Sequence, residues 1–259
     1  MDEAYRFMLA IQDHPVEECG EPLIALPEAS SKLKVLFSAL PHVRGLPRLF
    51  FLRKGILPAF LEAAAEMNRR GWALRVEDAF RTREMQKYNA LRPDVFSAVL
   101  AKVRWELEGA LPGVELFRRR LAALIAMSPK VGTHCSGSAI DVSVVRLEGG
   151  AEIDRGAPYL EISEKTPMGS PFVPEAARRN RAEITALMAR HGFRTYRFEF
   201  WHYNQGDAYD AYLSDGGLPA RYGPVDLDPA TGAVTAIVDS LVPLNTEEEI
   251  GALLERREG

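Results

Sequence analysis

Two short segments about sixty residues apart hold the side chains best suited to chemistry. The first contains His134 and Asp141, and the second contains Glu199 and His202. Two imidazoles and one carboxylate form a common ligand set for catalytic zinc, which keeps a further position for water or substrate. The remaining carboxylate is what a metal-dependent hydrolase needs as a proton acceptor. The residue types therefore suggest a hydrolytic metal site.

The spacing within each segment requires a break in regular strand structure. Asp141 lies seven residues after His134, and an odd separation in one flat strand places two side chains on opposite faces. The glycine between them tolerates the backbone angles of a tight turn. Glu199 and His202 are also oddly spaced, so we expect their strand to bulge or end near Trp201. The two segments should therefore meet at strand ends over one site.

Each of these residues also has an ordinary structural interpretation. Alone, His134 would be a hydrogen-bonded turn histidine and Asp141 a strand-end cap, while Trp201 would belong to the core or to a wall of the site. Cys135 could be a nucleophile beside His134, but adjacent strand residues point apart, so a buried small side chain is preferred. From the residues alone, a metal site and plain structural roles both stay open.

Length and composition exclude several classes of protein. The chain has 259 residues, of which 47% are hydrophobic, enough for one sizeable core. A net charge of -4 without a dominant basic patch argues against a nucleic-acid partner. Cys19 and Cys135 are too few for a disulfide framework or a cysteine-based zinc site. The start does not resemble a signal peptide, and no apolar run reaches membrane-spanning length. We therefore expect a cytoplasmic protein without a membrane partner.

Hydrophobic periodicity predicts an α+β fold with a small antiparallel sheet flanked by helices. The elements do not alternate as in a doubly wound sheet. Residues 1–50 contain five prolines and are expected to be irregular. The first long strand should carry Trp72, Leu74, Val76 and Asp78 on one face. The predicted helices cover residues 54–70, 83–91, 94–109, 114–127 and 174–191, and the predicted strands cover 72–80, 139–147 and 193–203.

We predict three regions along the chain. Residues 1–47 form an N-terminal wrapping arm, residues 48–206 the core that carries the candidate zinc site, and residues 207–259 a C-terminal extension packed on the core. The extension should contain a strand near residues 234–238 and a last helix with Thr246 as its N-cap. A lid, a dimer surface and a stabilising wrap are open roles for it, so a homo-oligomer is also open.

The paired motifs resemble those of a known family. The first reads His134-x-x-Gly137-x-Ala139-x-Asp141, and the second reads Glu199-x-Trp201-His202. They are similar to the zinc D-alanyl-D-alanine dipeptidases and the related zinc D,D-carboxypeptidases, which share the hedgehog/D,D-peptidase fold. The segment ending at Arg81 and the stretch 167–170 agree with the same family. The resemblance spans about residues 48–206.

The resemblance implies a division of labour. His134, Asp141 and His202 would bind one Zn²⁺ per chain, Glu199 would act as the catalytic base, and Arg81 would stabilise the transition state. The reaction implied is hydrolysis of the peptide bond of D-Ala-D-Ala or a similar small D-amino-acid peptide, a substrate linked to peptidoglycan and the cell wall. The expected substrate contacts are Thr133, Ser138 and Trp201.

Two positions depart from the dipeptidase pattern. Val173 stands where those enzymes carry an aspartate that holds the ammonium group of the dipeptide, and Gly132 stands where they carry a serine. A buried ammonium without a carboxylate partner is costly. Either Glu164 or Glu175 takes that role, or the amino end of the substrate differs.

Two alternatives follow from these departures. One is a D,D-carboxypeptidase or amidase that acts on longer or N-blocked cell-wall peptides. The other is a non-catalytic zinc-binding module on the same fold. The intact Glu199 argues against the module, because binding alone needs no base.

Overall fold

A mixed five-stranded sheet forms the centre of the protein in a computed structural model that describes residues 2–214 and 216–256. The strands are β1 (Leu23–Ala25), β2 (Val35–Phe37), β3 (Phe51–Arg53), β4 (Trp72–Asp78), β5 (Ala139–Arg146), β6 (Arg194–Thr195), β7 (His202–Asn204), β8 (Val225–Leu227) and β9 (Val234–Ala236). The central sheet has the order β2-β4-β5-β7-β6, and β1–β3 and β8–β9 form two small sheets. Strands β2 and β4 run parallel, whereas the other central pairs are antiparallel.

Helices pack against this sheet and against one another. They are α1 (Asp2–Asp13), α2 (Leu26–Ala29), α3 (Leu57–Arg69), α4 (Arg83–Ala90), α5 (Pro93–Glu106), α6 (Val114–Ala122), α7 (Glu175–Arg190), α8 (Ala208–Leu213) and α9 (Glu247–Glu255). The predicted α+β class is confirmed. Helix α9 begins with a capping box between Thr246 and Glu249, so the predicted N-cap is also confirmed.

One face of the sheet holds the main hydrophobic core. Val142 and Val144 of β5 pack with Phe60 of α3 and Leu187 of α7 in one buried cluster. Burying each large apolar side chain contributes about 1.5–3 kcal/mol. A second cluster joins α5 and α6 to α9, with the rings of Phe96 and Phe117 4.6 Å apart. The opposite face of β5 is therefore left for polar groups.

A β-bulge corrects the predicted facing of the first long strand. Val76 pairs with Val142 on the core face, and regular pairing would have kept Asp78 on that face as well. The register instead shifts after Val76, so Asp78 lies opposite Asp141. The extra residue in the bulge is Glu77, which reverses the alternation beyond it. Asp78 therefore joins the polar face.

The predicted strand over residues 193–203 is wrong. The chain forms two short strands, β6 and β7, which pair with each other as the two arms of a hairpin. Between them the Glu199 backbone N–H donates to the Tyr196 carbonyl at 3.2 Å, which closes a turn. The alternation of residue types continued through the turn, so periodicity alone predicted one strand.

The N-terminal region contains regular structure, so the prediction that residues 1–50 are irregular is wrong. Helix α1 has apolar residues at helical spacing, including the buried Ala4 and Ile11, and strand β2 belongs to the central sheet. Of the prolines that suggested irregular structure, Pro27 lies in the first turn of α2, and the other four lie outside helices and strands. The division into regions 1–47, 48–206 and 207–259 stays a prediction, and Met1, Asp215 and residues 257–259 lie outside the described residues.

Two helices end earlier than their periodicity predicts. Helix α5 stops at Glu106, because Glu108 and Gly109 adopt positive φ angles of 53° and 99°. Helix α6 stops at Ala122. Within residues 2–214 and 216–256, no helix has the length and apolar character needed to cross a membrane. The cytoplasmic location stays a prediction.

Replacing Gly137 with alanine should destabilise the protein by at least about 1–2 kcal/mol. Gly137 has φ of 69°, and a Cβ there would lie 2.2 Å from Leu23 Cδ2. Urea unfolding measures the loss. Gly149→Ala is the matched control, since Gly149 has φ of 75° but nothing within 4 Å of an added Cβ. Equal losses in the two variants would contradict a role for the Leu23 contact.

Candidate active site

Three polar side chains lie in one row across the centre of the sheet. Asp141 of β5 lies opposite Asp78 of β4 on one side and opposite His202 of β7 on the other. Directly opposed residues in antiparallel strands share a face. The bulge in β4 and the start of β7 therefore bring these groups together at one end of the sheet.

The turn before β5 adds His134 to this row. A 3₁₀ helix at Thr133–Ser136 ends at Gly137, and the chain then enters β5, as the spacing predicted. His134 Nε2 lies 3.2 Å from Asp141 Oδ1, and His202 Nδ1 lies 2.8 Å from the same oxygen. The two imidazole nitrogens are 3.1 Å apart. His134, Asp141 and His202 are buried and offer ligand atoms within 4.8 Å of one another.

The outward-facing nitrogen of each imidazole has its own acceptor. His134 Nδ1–H donates to the Ala79 carbonyl, and His202 Nε2–H donates to Asn204 Oδ1 at 2.8 Å. These bonds leave the lone pair of the other nitrogen directed at Asp141. Metal-binding histidines in proteins have this second bond in most sites. The donor set therefore fits a zinc-type ion held by two nitrogens and one oxygen.

The carboxylate of Asp141 is engaged at both oxygens. Oδ1 faces the two histidines, while Oδ2 accepts from Arg81 Nη2 at 3.2 Å and from the Tyr159 hydroxyl at 2.9 Å. Burial alone would raise the pKa of Asp141, but His134 and His202 hold that pKa well below its usual range. Asp141 is therefore an anion, the state that binds a cation.

Arg81 is fixed between two buried carboxylates. Its Nε donates to Asp78 Oδ2 at 2.7 Å, in addition to the bond to Asp141. Burial would lower the pKa of Arg81, but Asp78 and Asp141 raise it, so the guanidinium stays charged. Asp78 also lies 3.1 Å from Arg48 and 3.4 Å from His42. The Arg81 guanidinium beside the candidate metal centre is thus held in one position.

Glu199 lies beside the candidate metal centre, on the turn that precedes β7. Its Oε2 is 3.8 Å from His202 Nδ1, and its side chain is 25% exposed, toward a cavity. Burial raises the pKa of Glu199 to about 7, against the opposing charge of His202. The strand starts directly after Trp201, which agrees with the break expected from the spacing. A carboxylate in this place can exchange protons with a group bound next to the histidines.

The three expected substrate contacts occupy different surroundings. Thr133 and Trp201 line the cavity, and Trp201 packs edge-on against Tyr159 with the ring centroids 5.6 Å apart. Ser138 is fully buried and donates to Asp207 Oδ2 at 2.7 Å. Ser138 does not line the cavity. Cys135 is buried, which raises its thiol pKa to about 12, as expected for a structural cysteine.

Several residues around the site were missed by sequence reasoning. Asn204 lies two residues after His202 in β7, so strand periodicity could have placed both on one face. Tyr159 comes from an irregular loop, where no periodic signal exists. His42 is buried against Asp78 and is the residue before a 3₁₀ turn. Tyr159 and His42 reach the site through tertiary contacts, which patterns in the sequence do not show.

The catalytic cavity is small and covered by the N-terminal helix. It has a volume of about 90 Å³ and extends from Arg81 and His134 to Met8 and Ile11 of α1. Gly132, one of the two departures from the dipeptidase pattern, also lines it. Helix α1 therefore contributes a wall of the site.

The second departure lies away from this cavity. Val173 is buried, and Gly156 leaves room for it, because an added Cβ at Gly156 would lie 2.6 Å from the Val173 side chain. The two acids considered as replacements are engaged elsewhere: Glu164 pairs with Lys102, and Glu175 pairs with Arg179. Neither acid lines the catalytic cavity.

Comparison with known proteins agrees with this geometry. The profile of peptidase family M15, described as D-Ala-D-Ala dipeptidase, matches residues 47–220. The chain belongs to this family. The matched range contains His134, His202, Asp141, Glu199 and Arg81. Membership of this family places the chain among the peptidases.

Curated relatives match over a shorter segment. A D-alanyl-D-alanine dipeptidase of Escherichia coli (strain K12) is 40% identical over 70 residues, which is 27% of this chain and 36% of the relative. A D-alanyl-D-alanine dipeptidase of Enterococcus faecalis (strain ATCC 700802 / V583) is 31% identical over 71 residues, which is 27% of this chain and 35% of the relative. The chain thus matches about a third of the length of these relatives.

Two solved structures are distantly similar. One is a vancomycin-resistance D,D-pentapeptidase, VanY, in complex with Zn(II), with a TM-score of 0.41 and 15% identity over 80% of this chain and 91% of that chain. The other is the LD-carboxypeptidase LdcB, with a TM-score of 0.39 and 16% identity over 80% of this chain and 79% of that chain.

The candidate metal centre predicts one divalent ion per chain, measured by elemental analysis and by competition with a chromophoric chelator. His134→Ala should remove stoichiometric binding. Asn204→Leu should weaken affinity by about 10- to 100-fold, because His202 loses the acceptor that orients it. His191→Ala is the control, since His191 pairs with Glu66 at 2.8 Å away from the site. Unchanged affinity in His134→Ala would contradict this assignment of ligands.

Proposed function

We propose that this protein is a zinc-dependent peptidase that hydrolyses D-Ala-D-Ala or a similar small D-configured dipeptide. The observation that carries the proposal is the convergence of His134, Asp141 and His202 with Glu199 on the wall of the same cavity. The ligands would be the two imidazoles and the Asp141 carboxylate, and Glu199 would be the base. Family membership supports the reaction class.

The residues divide the reaction between them. Zn²⁺ bound at this site would polarise the scissile carbonyl and lower the pKa of a water molecule. Glu199 takes a proton from the attacking water and passes it to the leaving amine nitrogen. The proton taken from water thus ends on the amine nitrogen. The amide C–N bond is replaced by a bond between the carbonyl carbon and the water oxygen. This proposal needs no further co-reactant.

Arg81 stabilises the negative charge that develops on the carbonyl oxygen. A fixed positive donor in a water-poor site stabilises an oxyanion more strongly than a mobile one. Arg81 lines the cavity and keeps its charge because Asp78 and Asp141 flank it. Its placement is therefore complete before substrate binds.

The size of the cavity favours a short substrate. About 90 Å³ of space beside the metal ligands, closed on one side by Met8 and Ile11, suits small side chains such as methyl groups. This supports a dipeptide over an internal position in a polymer.

A specific observation supports a second candidate, an amidase or D,D-carboxypeptidase on N-blocked peptides. Among the described residues, Asp141 and Glu199 are the carboxylates that line the catalytic cavity. Both have assigned roles at the metal, so neither is free to hold a substrate ammonium. An unpaired buried ammonium is unfavourable, which would favour a blocked amino end.

Glu199→Gln should lower kcat on D-Ala-D-Ala by about 10²- to 10⁴-fold while the metal content is unchanged, because the amide cannot accept the proton. A coupled assay of released D-alanine measures the rate. Glu175→Gln is the matched control, since Glu175 pairs with Arg179 outside the cavity. Full activity in Glu199→Gln would remove this residue from its proposed role.

The state of the amino end separates the two candidate substrates. If the protein is a dipeptidase, D-Ala-D-Ala should be cleaved at least about tenfold faster than N-acetyl-D-Ala-D-Ala at equal low concentration, the size expected when one polar contact is lost. Mass spectrometry of both reactions measures the ratio. Equal or reversed rates would instead support the N-blocked substrate.

A further inference from the structure

A second cavity opens directly beside the catalytic cavity. It has a volume of about 400 Å³, and we call it the side cavity. Glu199, Trp201, Tyr196 and Leu160 line both cavities. The proposed base therefore stands at the boundary between the two, and a substrate at the metal ligands can extend into the side cavity without crossing the main chain of the sheet.

The interior of the side cavity is apolar. Its walls come from α5, from the segment after α6, and from the loop over residues 160–167. The apolar lining includes Val95, Leu124, Ile125, Ile162 and Phe198.

Two exposed carboxylates of the side cavity, Glu164 and Glu3, are paired with cations, whereas Glu161 forms no ion pair among the described residues. Lys102 of α5 forms an ion pair with Glu164 of the facing loop, and Glu3 of α1 lies 3.1 Å from Arg197. Glu164 and Glu3 are exposed, so these charges belong to the mouth. They offer little to a substrate ammonium.

The loop that forms one wall is held in place from behind. Arg181 of α7 is buried and donates to the carbonyls of Lys165 at 2.9 Å and Pro167 at 2.7 Å. Thr166 Oγ1 donates to the Glu161 carbonyl at 2.6 Å. The side cavity is therefore built in advance, as ligand pockets in proteins usually are.

The methyl groups of D-Ala-D-Ala do not need this volume. An apolar cavity of about 150 Å³ is enough to bind benzene, and small-molecule sites run from about 300 Å³ upward. The side cavity, at about 400 Å³, lies within that range. A substrate limited to two alanines would leave it unfilled.

We propose that the side cavity binds an apolar group of the substrate, larger than methyl, while the scissile bond lies at the metal ligands. This inference rests on the proposed function and names its substrate class: a D-configured dipeptide with a bulky apolar side chain or N-acyl group. Ile162 and Phe198 are the residues that determine this specificity, because they line the side cavity but not the catalytic cavity.

The test compares kcat/KM for four substrates: D-Ala-D-Ala, D-Phe-D-Ala, D-Ala-D-Phe and N-hexanoyl-D-Ala-D-Ala. The last three separate the two side chains and the acyl group as the source of the apolar contact. At least one should exceed D-Ala-D-Ala by about tenfold or more, the gain expected from burying several methylene groups. No advantage for any of the three would overturn the inference.

Two variants at one position test the location. Ile162→Trp fills the side cavity and should abolish the kcat/KM advantage of the bulky substrate over D-Ala-D-Ala, because Ile162 lines the side cavity and not the catalytic cavity. Ile162→Ala enlarges the side cavity and should keep the advantage. Equal loss for all substrates, or an unchanged preference in Ile162→Trp, would overturn the assignment.

Binding separates failure of this inference from failure of the proposed function. If D-Ala-D-Ala is cleaved and no bulky substrate is favoured, the side cavity has been misassigned and the proposed function stands. If nothing is cleaved, the proposed function fails, and calorimetry of N-hexanoyl-D-alanine against N-acetyl-D-alanine with the metal-loaded protein decides the inference. Tighter binding of the hexanoyl compound, lost in Ile162→Trp, supports it, whereas equal binding overturns it.

Discussion

The buried carboxylate of Asp141 is the group on which the arrangement of this protein depends. Removing a carboxylate from water costs several kcal/mol, which must be offset by partners at every lone pair. Oδ1 meets the two histidines, and Oδ2 meets Arg81 and Tyr159. Strand β5, the turn before it, the hairpin of β6 and β7 and the loop that carries Tyr159 must therefore all bring side chains to one point. The fold around the site satisfies this single requirement.

The same requirement reaches the N-terminal region through Asp78. Arg81 can neutralise Asp141 only if it is held still, and Asp78 holds it from the other side. Asp78 is itself buried and contacts Arg48 and His42, both of which lie between β2 and β3. The bulge at Glu77 makes this chain of contacts feasible, because without it Asp78 would face the apolar core. His42 and Arg48 thus interact with the charged groups of the site, and α1 packs against its cavity.

The sequence predicted this site better than it predicted the elements that carry it. Residue types and odd spacings placed His134, Asp141 and His202 at strand ends, since chemistry restricts ligand types and a glycine turn is visible in sequence. The bulge in β4 was not predictable, because period-two alternation continues through it. Helix α1 was hidden by the prolines that follow it. Tyr159 had no signal, since a loop residue is brought to its partner by tertiary packing alone.

The reaction is easier to infer than the substrate because the candidate metal ligands and much of the cavity walls lie in different parts of the fold. The sheet places two of the candidate metal ligands, Asp141 and His202, through register, and a one-residue slip would move Asp141 to the other face. Other parts of the two cavity walls come instead from α1, from α5 and the segment after α6, and from the loop over residues 160–167, all outside the sheet. Loops and peripheral helices can change without disturbing strand register. Val173 fits this division, because its side chain packs against Gly156 and leaves the ligands untouched. Under the proposed function, substrate choice would therefore depend on surfaces whose residues carry no motif.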